Sequence, residues 1–448
     1  MNRAFLPDID NNQSKWGNAM RFKAYISVFL GGLLIIAGSL GAGESSQEAD
    51  VYAITNATIV PVTAPVIEMG TVVVSRGRII AVGAEVEIPP EATVIDAKGM
   101  YVYPGMINSS TIIGISEIGS VRATVDTTET GKFNPDVRVA VAINPASVHI
   151  PITRSNGIAL ALVAPRGGLI SGQSSLIRLE GWSWEEMVTK TPAGMHIAFP
   201  QEVPRRSPTG EEDKEKVSKD IQELKDYFTK ARRYMERKEG VAKDPSLPAS
   251  PTNLKFEAMI PVLKGEVPVV VSVSNAEAIK EALKFVEEMK LKAIFHGMTE
   301  GWKVVDELKK ANIPVVLSSV YATPREWKDG YEASYRNAGI LYKAGVKVVF
   351  STGDATMAKN LPYHAAKAVA FGLPKDEALK GITIYPAQIF GVDKDYGSIE
   401  TGKVANLIVT DGDPLEITTH VRHMLINGKP IDLSNKHSKL YEKHRKKR

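Results

Sequence analysis

The stretch Tyr103-Pro104-Gly105-Met106-Ile107-Asn108-Ser109-Ser110-Thr111-Ile112 divides the chain into two textures. Upstream, from Val51 to Val102, short apolar runs such as Thr71-Val72-Val73-Val74 and Arg78-Ile79-Ile80-Ala81-Val82 are separated by turn residues such as Ser75-Arg76-Gly77. That pattern predicts a small all-β unit. Downstream, between Pro268 and Phe371, β-rich runs alternate with helical stretches. Val269 to Val273 leads into a helix from about Ala276 to Met289, and Lys292 to Phe295 into Gly301 to Ala311. Ile313 to Leu317 precedes a helical region ending near Ala344, and Val346 to Phe350 precedes Leu361 to Phe371. Such alternation implies parallel strands joined by crossover helices.

Tyr101 to Ile107 and Ile158 to Val163 are further predicted strands. With the four β–α units they favour a (β/α)8 TIM-like barrel over a doubly wound sheet, although periodicity alone permits both. The β texture returns in Ala405 to Val409 and Met424 to Lys429. The expected α/β fold is therefore a barrel with a small β-sandwich domain built from both chain ends. Residues 48–104 and 395–433 form that domain, 105–394 the barrel, and 434–448 a basic tail that reads as solvated, with contact to anionic lipid or nucleic acid as the competing reading. A charged segment at about 209–240 reads as an inserted helix packed on its own domain, with a cap on the barrel mouth or a dimer contact as the competing readings. Its Val217, Ile221, Leu224, Phe228, Ala231 and Met235 recur every three or four residues.

The chain has 448 residues, 44% apolar and 24% charged, with a net charge of +4. That charge is too small to argue for a nucleic-acid partner. There is no cysteine, which excludes disulfides, thiolate ligands and thiol nucleophiles. Arg21 and Lys23 precede an uncharged run, Ala24 to Gly43, followed by polar residues. This reads as a secretory signal with Met20 as its natural start, so the protein is expected to be exported, to the periplasm or outside. The competing reading is an uncleaved anchor over about 24–43, which would be the protein's contact with a membrane.

Active sites of parallel barrels lie at the C-terminal ends of the strands. The first polar residues after the predicted strands are Ser110, Arg166, Ser272, His296, Ser318 and Asp354. Arg166-Gly167-Gly168-Leu169-Ile170-Ser171-Gly172-Gln173 also follows a strand. Its glycines would let backbone N–H groups approach a ligand, and an arginine grips a carboxylate in bidentate fashion. Arg166, Gly168 and Gln173 are thus candidate substrate-binding residues, with a tight structural loop as the competing reading. Trp182 and Trp184 read as packing residues.

These motifs resemble the amidohydrolase superfamily. Its opening barrel strand usually reads Pro-Gly-(Leu/Phe)-Ile-Asp-x-His-x-His, and the resemblance places Ser110 and Ile112 where that pattern has its two metal-binding histidines. Ser272 stands where the fifth strand carries a histidine. His296 matches the sixth-strand histidine, and Asp354 the eighth-strand aspartate that binds metal and shuttles protons. Thr383-Ile384-Tyr385-Pro386-Ala387 and Gly397-Ser398-Ile399-Glu400-Thr401-Gly402-Lys403-Val404-Ala405-Asn406 resemble later motifs. The flavour is that of the imidazolonepropionase-like and dipeptidase-like branch.

The resemblance implies a divalent metal such as zinc, to which His296 and Asp354 would supply two ligands. Catalytic zinc typically needs three. Glu117, Asp126, His149, His196 and His364 are conceivable replacements, but none shows the i, i+2 spacing that aims two side chains at one point. Without metal, Asp354 is the candidate general base and His296 the candidate acid or electrostatic stabiliser. Two functions follow. The first is hydrolysis of carbon–nitrogen bonds in non-peptide or cyclic amides, on a small-molecule substrate. The second is a non-catalytic binding or scaffold protein that kept the frame. The sequence leaves self-association open.

Overall fold

A computed structural model describes residues 51–202, 210–248, 251–318, 320–324 and 326–447. The apolar run at 24–43 and the question of the start residue lie outside them. The described residues belong to one compact unit, 49–448. None of their helices is long and apolar enough to cross a membrane.

The first part of the chain makes β1 (Val51–Ile59), β2 (Ile67–Ser75), β3 (Arg78–Gly83), β4 (Thr93–Asp96) and β5 (Tyr101–Pro104). The barrel follows with β6 (Met106–Thr111), β7 (Ile158–Val163), β8 (Ile170–Arg178), β9 (Val188–Ala198), β10 (Val269–Val273), β11 (Ala293–Gly297), β12 (Val315–Leu317) and β13 (Val348–Phe350). The chain then returns with β14 (Leu407–Thr410), β15 (Val421–Ile426) and β16 (Lys429–Pro430).

The outer strands form one sheet in the order β16-β15-β14-β5-β1-β2-β3, with β4 also on β1. Both chain ends contribute to it, as Leu407 of β14 faces Pro104 of β5 in an antiparallel pair. The sandwich expected from sequence is a single sheet whose edge comes back on its own returning segment. The Ile79 N–H donates to the Lys403 carbonyl at 2.9 Å, and Ile54, Val72, Ile79, Leu407 and Leu425 share one core.

The step from this sheet into the barrel is the opening stretch itself. Pro104 ends β5, Met106 begins β6 beside Ile158, and only Gly105 lies between. A Cβ on Gly105 would sit 2.5 Å from the Ala159 Cβ, so a glycine lets the two sheets approach there.

The eight barrel strands run in the order β6 to β13 and form a nearly closed sheet. Hydrogen bonds across the seam include Gly353 N–H to the Ser110 carbonyl at 3.0 Å. Ile107, Leu160, Val270, Ile294, Val316 and Val349 fill the interior. The opposite faces of the strands join the larger core under the helices, where Val269, Val271, Phe295 and Phe350 meet Ile279 and Phe285. Burial on both faces is why β10 to β13 read as unbroken apolar runs.

The helix Ala276–Met289 starts on Asn275, whose side chain accepts from the Ala278 N–H, and stops at Lys290 in a left-handed conformation. Both ends follow from ordinary capping chemistry.

Strict β–α alternation fails in one place. β8 pairs antiparallel with both β7 and β9. The turn after β7 is too short for a crossover helix, so the chain doubles back as a hairpin. The charged helix spans Gly210–Lys243 and buries Leu224, Phe228 and Ala231, with Phe228 edge-on to Phe285. It packs on its own domain as expected. The basic tail, in contrast, is a helix, Lys436–Arg445, with a complete capping box on Asn435. Trp184 packs against the core, but Trp182 is 91% exposed, which corrects its reading as a packing residue.

Candidate functional site

Ser272 and His296 stand side by side in the β10–β11 register, at the C-terminal ends of two parallel strands. The Ser272 Oγ lies 3.2 Å from the His296 Nδ1, while the His296 Nε2 is buried with no hydrogen-bond partner. Burial first, and then the charge of Arg166, lower the His296 pKa to about 4. The ring is therefore neutral at pH 7, and its second nitrogen is uncommitted.

His196 lies one strand over, on β9. It is level with Val270 of β10 and, through it, with Ile294 of β11, both interior residues. It thus faces the barrel interior on the His296 side. Its Nε2 is also buried without a partner. Burial, and next the neighbouring His296, lower its pKa to about 3. Nothing in the motif strings singles out His196 among the other conceivable ligands. The signal was positional: a polar residue inside the apolar run Met195-His196-Ile197 of a barrel strand.

A pH dependence follows. Folded His196 takes its proton only near pH 3, whereas an unfolded histidine takes it near 6.5. Between these values the unfolded chain binds more protons, so stability present above about pH 6.5 is lost progressively as pH falls. His196→Gln is expected to flatten this decline between pH 6.5 and 4, measured as thermal midpoint against pH for variant and wild type.

Asp354 follows β13. Its Oδ1 accepts from the Thr356 and Met357 N–H groups at 2.7 and 3.0 Å, which fixes the loop. Its Oδ2 has no hydrogen bond or ion pair with a described residue. Arg166 links the two sides of the mouth. It donates to the carbonyl of Gly353, next to Asp354, and its charge reaches His296. Arg166, His296 and Asp354 therefore occupy one end of the barrel.

The remaining expected residues are placed differently. Gln173 lies within β8 and is buried, and its side-chain amide donates to the Pro135 carbonyl at 2.9 Å. It ties the 114–138 loop to the sheet, so its expected substrate contact is already taken up by the fold. Gly168 adopts a left-handed φ of +65°, and a Cβ there would lie 2.7 Å from the Lys132 carbonyl oxygen. Its role is this close approach, and the tight-loop alternative describes the segment better than an open anion pocket.

Ser110 is buried at the seam. The β6–β7 register shifts between Asn108 and Thr111, and Ile112 joins the core under the helices with Ile113 and Ile143. The two positions therefore do not form a matched inward pair.

Of the conceivable replacement ligands, His149 is engaged through its Nε2 with the Glu117 carbonyl at 3.0 Å. Asp126 is exposed. His364 sits edge-on to Tyr321, with burial lowering its pKa to about 4. Among the described residues, the three ligand-type side chains that come together are Glu300, Glu326 and Asp329. Lysines already occupy that group: Lys303 lies 2.9 Å from Glu300 and 2.8 Å from Asp329, and Lys328 lies 2.6 Å from Glu326. Among the described residues, no third ligand-type side chain is brought within metal-binding distance of both His296 and Asp354, whereas catalytic zinc typically needs three.

Comparison with known proteins agrees with the barrel fold. The pattern described as "Amidohydrolase family" matches residues 331–433. An amidohydrolase from Thermotoga maritima MSB8 superposes with a TM-score of 0.76 at 26% identity, covering 85% of this chain and 99% of that one. Molinate hydrolase shares the fold, with a TM-score of 0.53 at 16% identity over 86% of this chain and 95% of that one. Amidohydrolase tasK of Hapsidospora irregularis is 24% identical over 83% of this chain, which spans only 41% of that relative's length. These similarities support the amidohydrolase superfamily for this chain, with the family pattern itself confined to residues 331–433.

Proposed function

We propose that this protein hydrolyses a carbon–nitrogen bond in a small non-peptide or cyclic amide, at a site whose metal-ligand set is degenerate. The observation that carries the reading is the joint retention of His296 and Asp354 at one barrel end, joined through Arg166. The Asp354 Oδ2 takes a proton from a water molecule, whose oxygen attacks the substrate carbonyl. The neutral His296 ring hydrogen-bonds the reacting group through Nε2, and the proton passes on to the leaving nitrogen. General acid–base catalysis of this kind contributes about 10² to 10⁴-fold, which suits a strained or activated amide. Export through the segment at 24–43 belongs to the same reading.

The test is a screen of small linear and cyclic amides with wild type and Asp354→Asn. Turnover by wild type that falls at least about 100-fold in the variant supports the reading. Tight binding of a screened compound with equal, negligible turnover in both chains supports the scaffold alternative, for which Ser110, Ile112 and Ser272 speak.

A further inference from the structure

The C-terminal helix carries a charge that the rest of the chain lacks. Residues 436–448 hold seven Lys or Arg against one acid, Glu442, whereas the whole chain is only +4, so everything before them is net acidic. On the helix, Lys436, Lys439 and Lys443 fall on one face, with Leu440 among them, as the i, i+3, i+4, i+7 spacing requires. That face lines a groove of about 690 Å³ whose other wall includes Val148, Arg154 and Gly181. None of the three ammonium groups makes a hydrogen bond or close ion pair with a described residue, although Glu180 and Asp432 also line the groove and Asp432 lies within reach of the charge of Lys439.

Apolar groups are exposed beside these cations. Leu440 is 43% and Val148 42% exposed, and Trp182, which follows Gly181, is 91% exposed. In a folded protein an unpaired lysine row is ordinary, and so is one exposed tryptophan. The two together are the composition of a surface that sits at a lipid–water boundary, with cations toward headgroups and an aromatic ring at the interface.

We propose that this face docks on an anionic phospholipid bilayer. The lysine row runs about 10 Å along the helix, so it would reach more than one headgroup. Trp182, Val148 and Leu440 would enter the acyl boundary between them, a medium that a nucleic-acid backbone does not offer. This contact is additional to any that the run at 24–43 makes, and it does not depend on the proposed hydrolysis.

The full chain is mixed with vesicles of phosphatidylcholine alone or with about one-third phosphatidylglycerol, and bound protein is measured by co-sedimentation. Binding to the neutral vesicles sets the reference for the apolar run. Each lysine near an anionic surface adds about 1 kcal/mol, so three predict preference for the anionic vesicles on the order of 100-fold at low salt. The triple variant Lys436→Gln/Lys439→Gln/Lys443→Gln is expected to lose that preference, and Trp182 fluorescence is expected to be quenched by brominated lipid. Arg445→Gln/Lys446→Gln, off the groove, is expected to retain most of it. Equal binding to both vesicles, an unchanged triple variant, or binding to duplex DNA without vesicle preference overturns the proposal.

Discussion

Replacing His296 with alanine is expected to lower turnover of a small amide substrate by about 10² to 10⁴-fold. The ring is held by Ser272 at Nδ1 and keeps Nε2 free of any protein partner. A nitrogen in that state at a strand end is available to hydrogen-bond a ligand. Because burial and Arg166 lower its pKa to about 4, His296 acts as a neutral group, and its contribution should be level from pH 5 to 8. His296→Gln should fold as wild type yet restore little activity, since an amide reproduces the polarity of imidazole but not the position of its Nε2 hydrogen bond to the reacting group. Parallel measurement of kcat, KM and thermal midpoint checks this. A loss confined to the midpoint would assign His296 to the core alone.

The second large effect is on stability. Lys303→Met is expected to destabilise the fold by about 3–5 kcal/mol, the range for removing one partner of a buried ion pair. Lys303 joins Glu300, on the loop after β11, to Asp329, on the loop after β12. Both carboxylates are nearly inaccessible, and Glu300 also accepts from the Ala276 N–H at the start of the preceding helix, Ala276–Met289. Without the ammonium group these two nearly inaccessible carboxylates would lose the cation that bridges them. Lys303→Arg, which keeps the charge, is expected to recover most of the loss, and urea unfolding of the three chains measures it. An equal loss in the arginine variant would mean that Lys303 contributes packing rather than charge.

The barrel was legible where burial on both faces wrote long β-branched runs. Val269 to Val273 and the helix Ala276 to Met289 are found at those residues. The β7–β8–β9 hairpin was hidden because antiparallel strands buried on both sides carry no alternation to distinguish them from parallel ones. The tail was read as solvated because it buries no residue, and its helix rests on capping rather than on an apolar stripe. At the site, His296 and Asp354 were readable from the strings around them. His196 was not, because its significance comes from register: only pairing with Val270 shows that it faces the interior. Gln173 and Gly168 misled for the opposite reason. Their residue types suit a ligand loop, but tertiary contacts with Pro135 and Lys132 occupy them.

The central claim is that the amidohydrolase frame has been kept here with a ligand set too short for tight metal binding. Elemental analysis of the full chain, purified without chelator and dialysed, tests it most directly when paired with turnover before and after chelation. The account predicts well under one divalent metal per chain and turnover that survives the chelator. One or two equivalents of zinc retained through dialysis, with turnover that disappears on chelation and returns when zinc is restored, would contradict it.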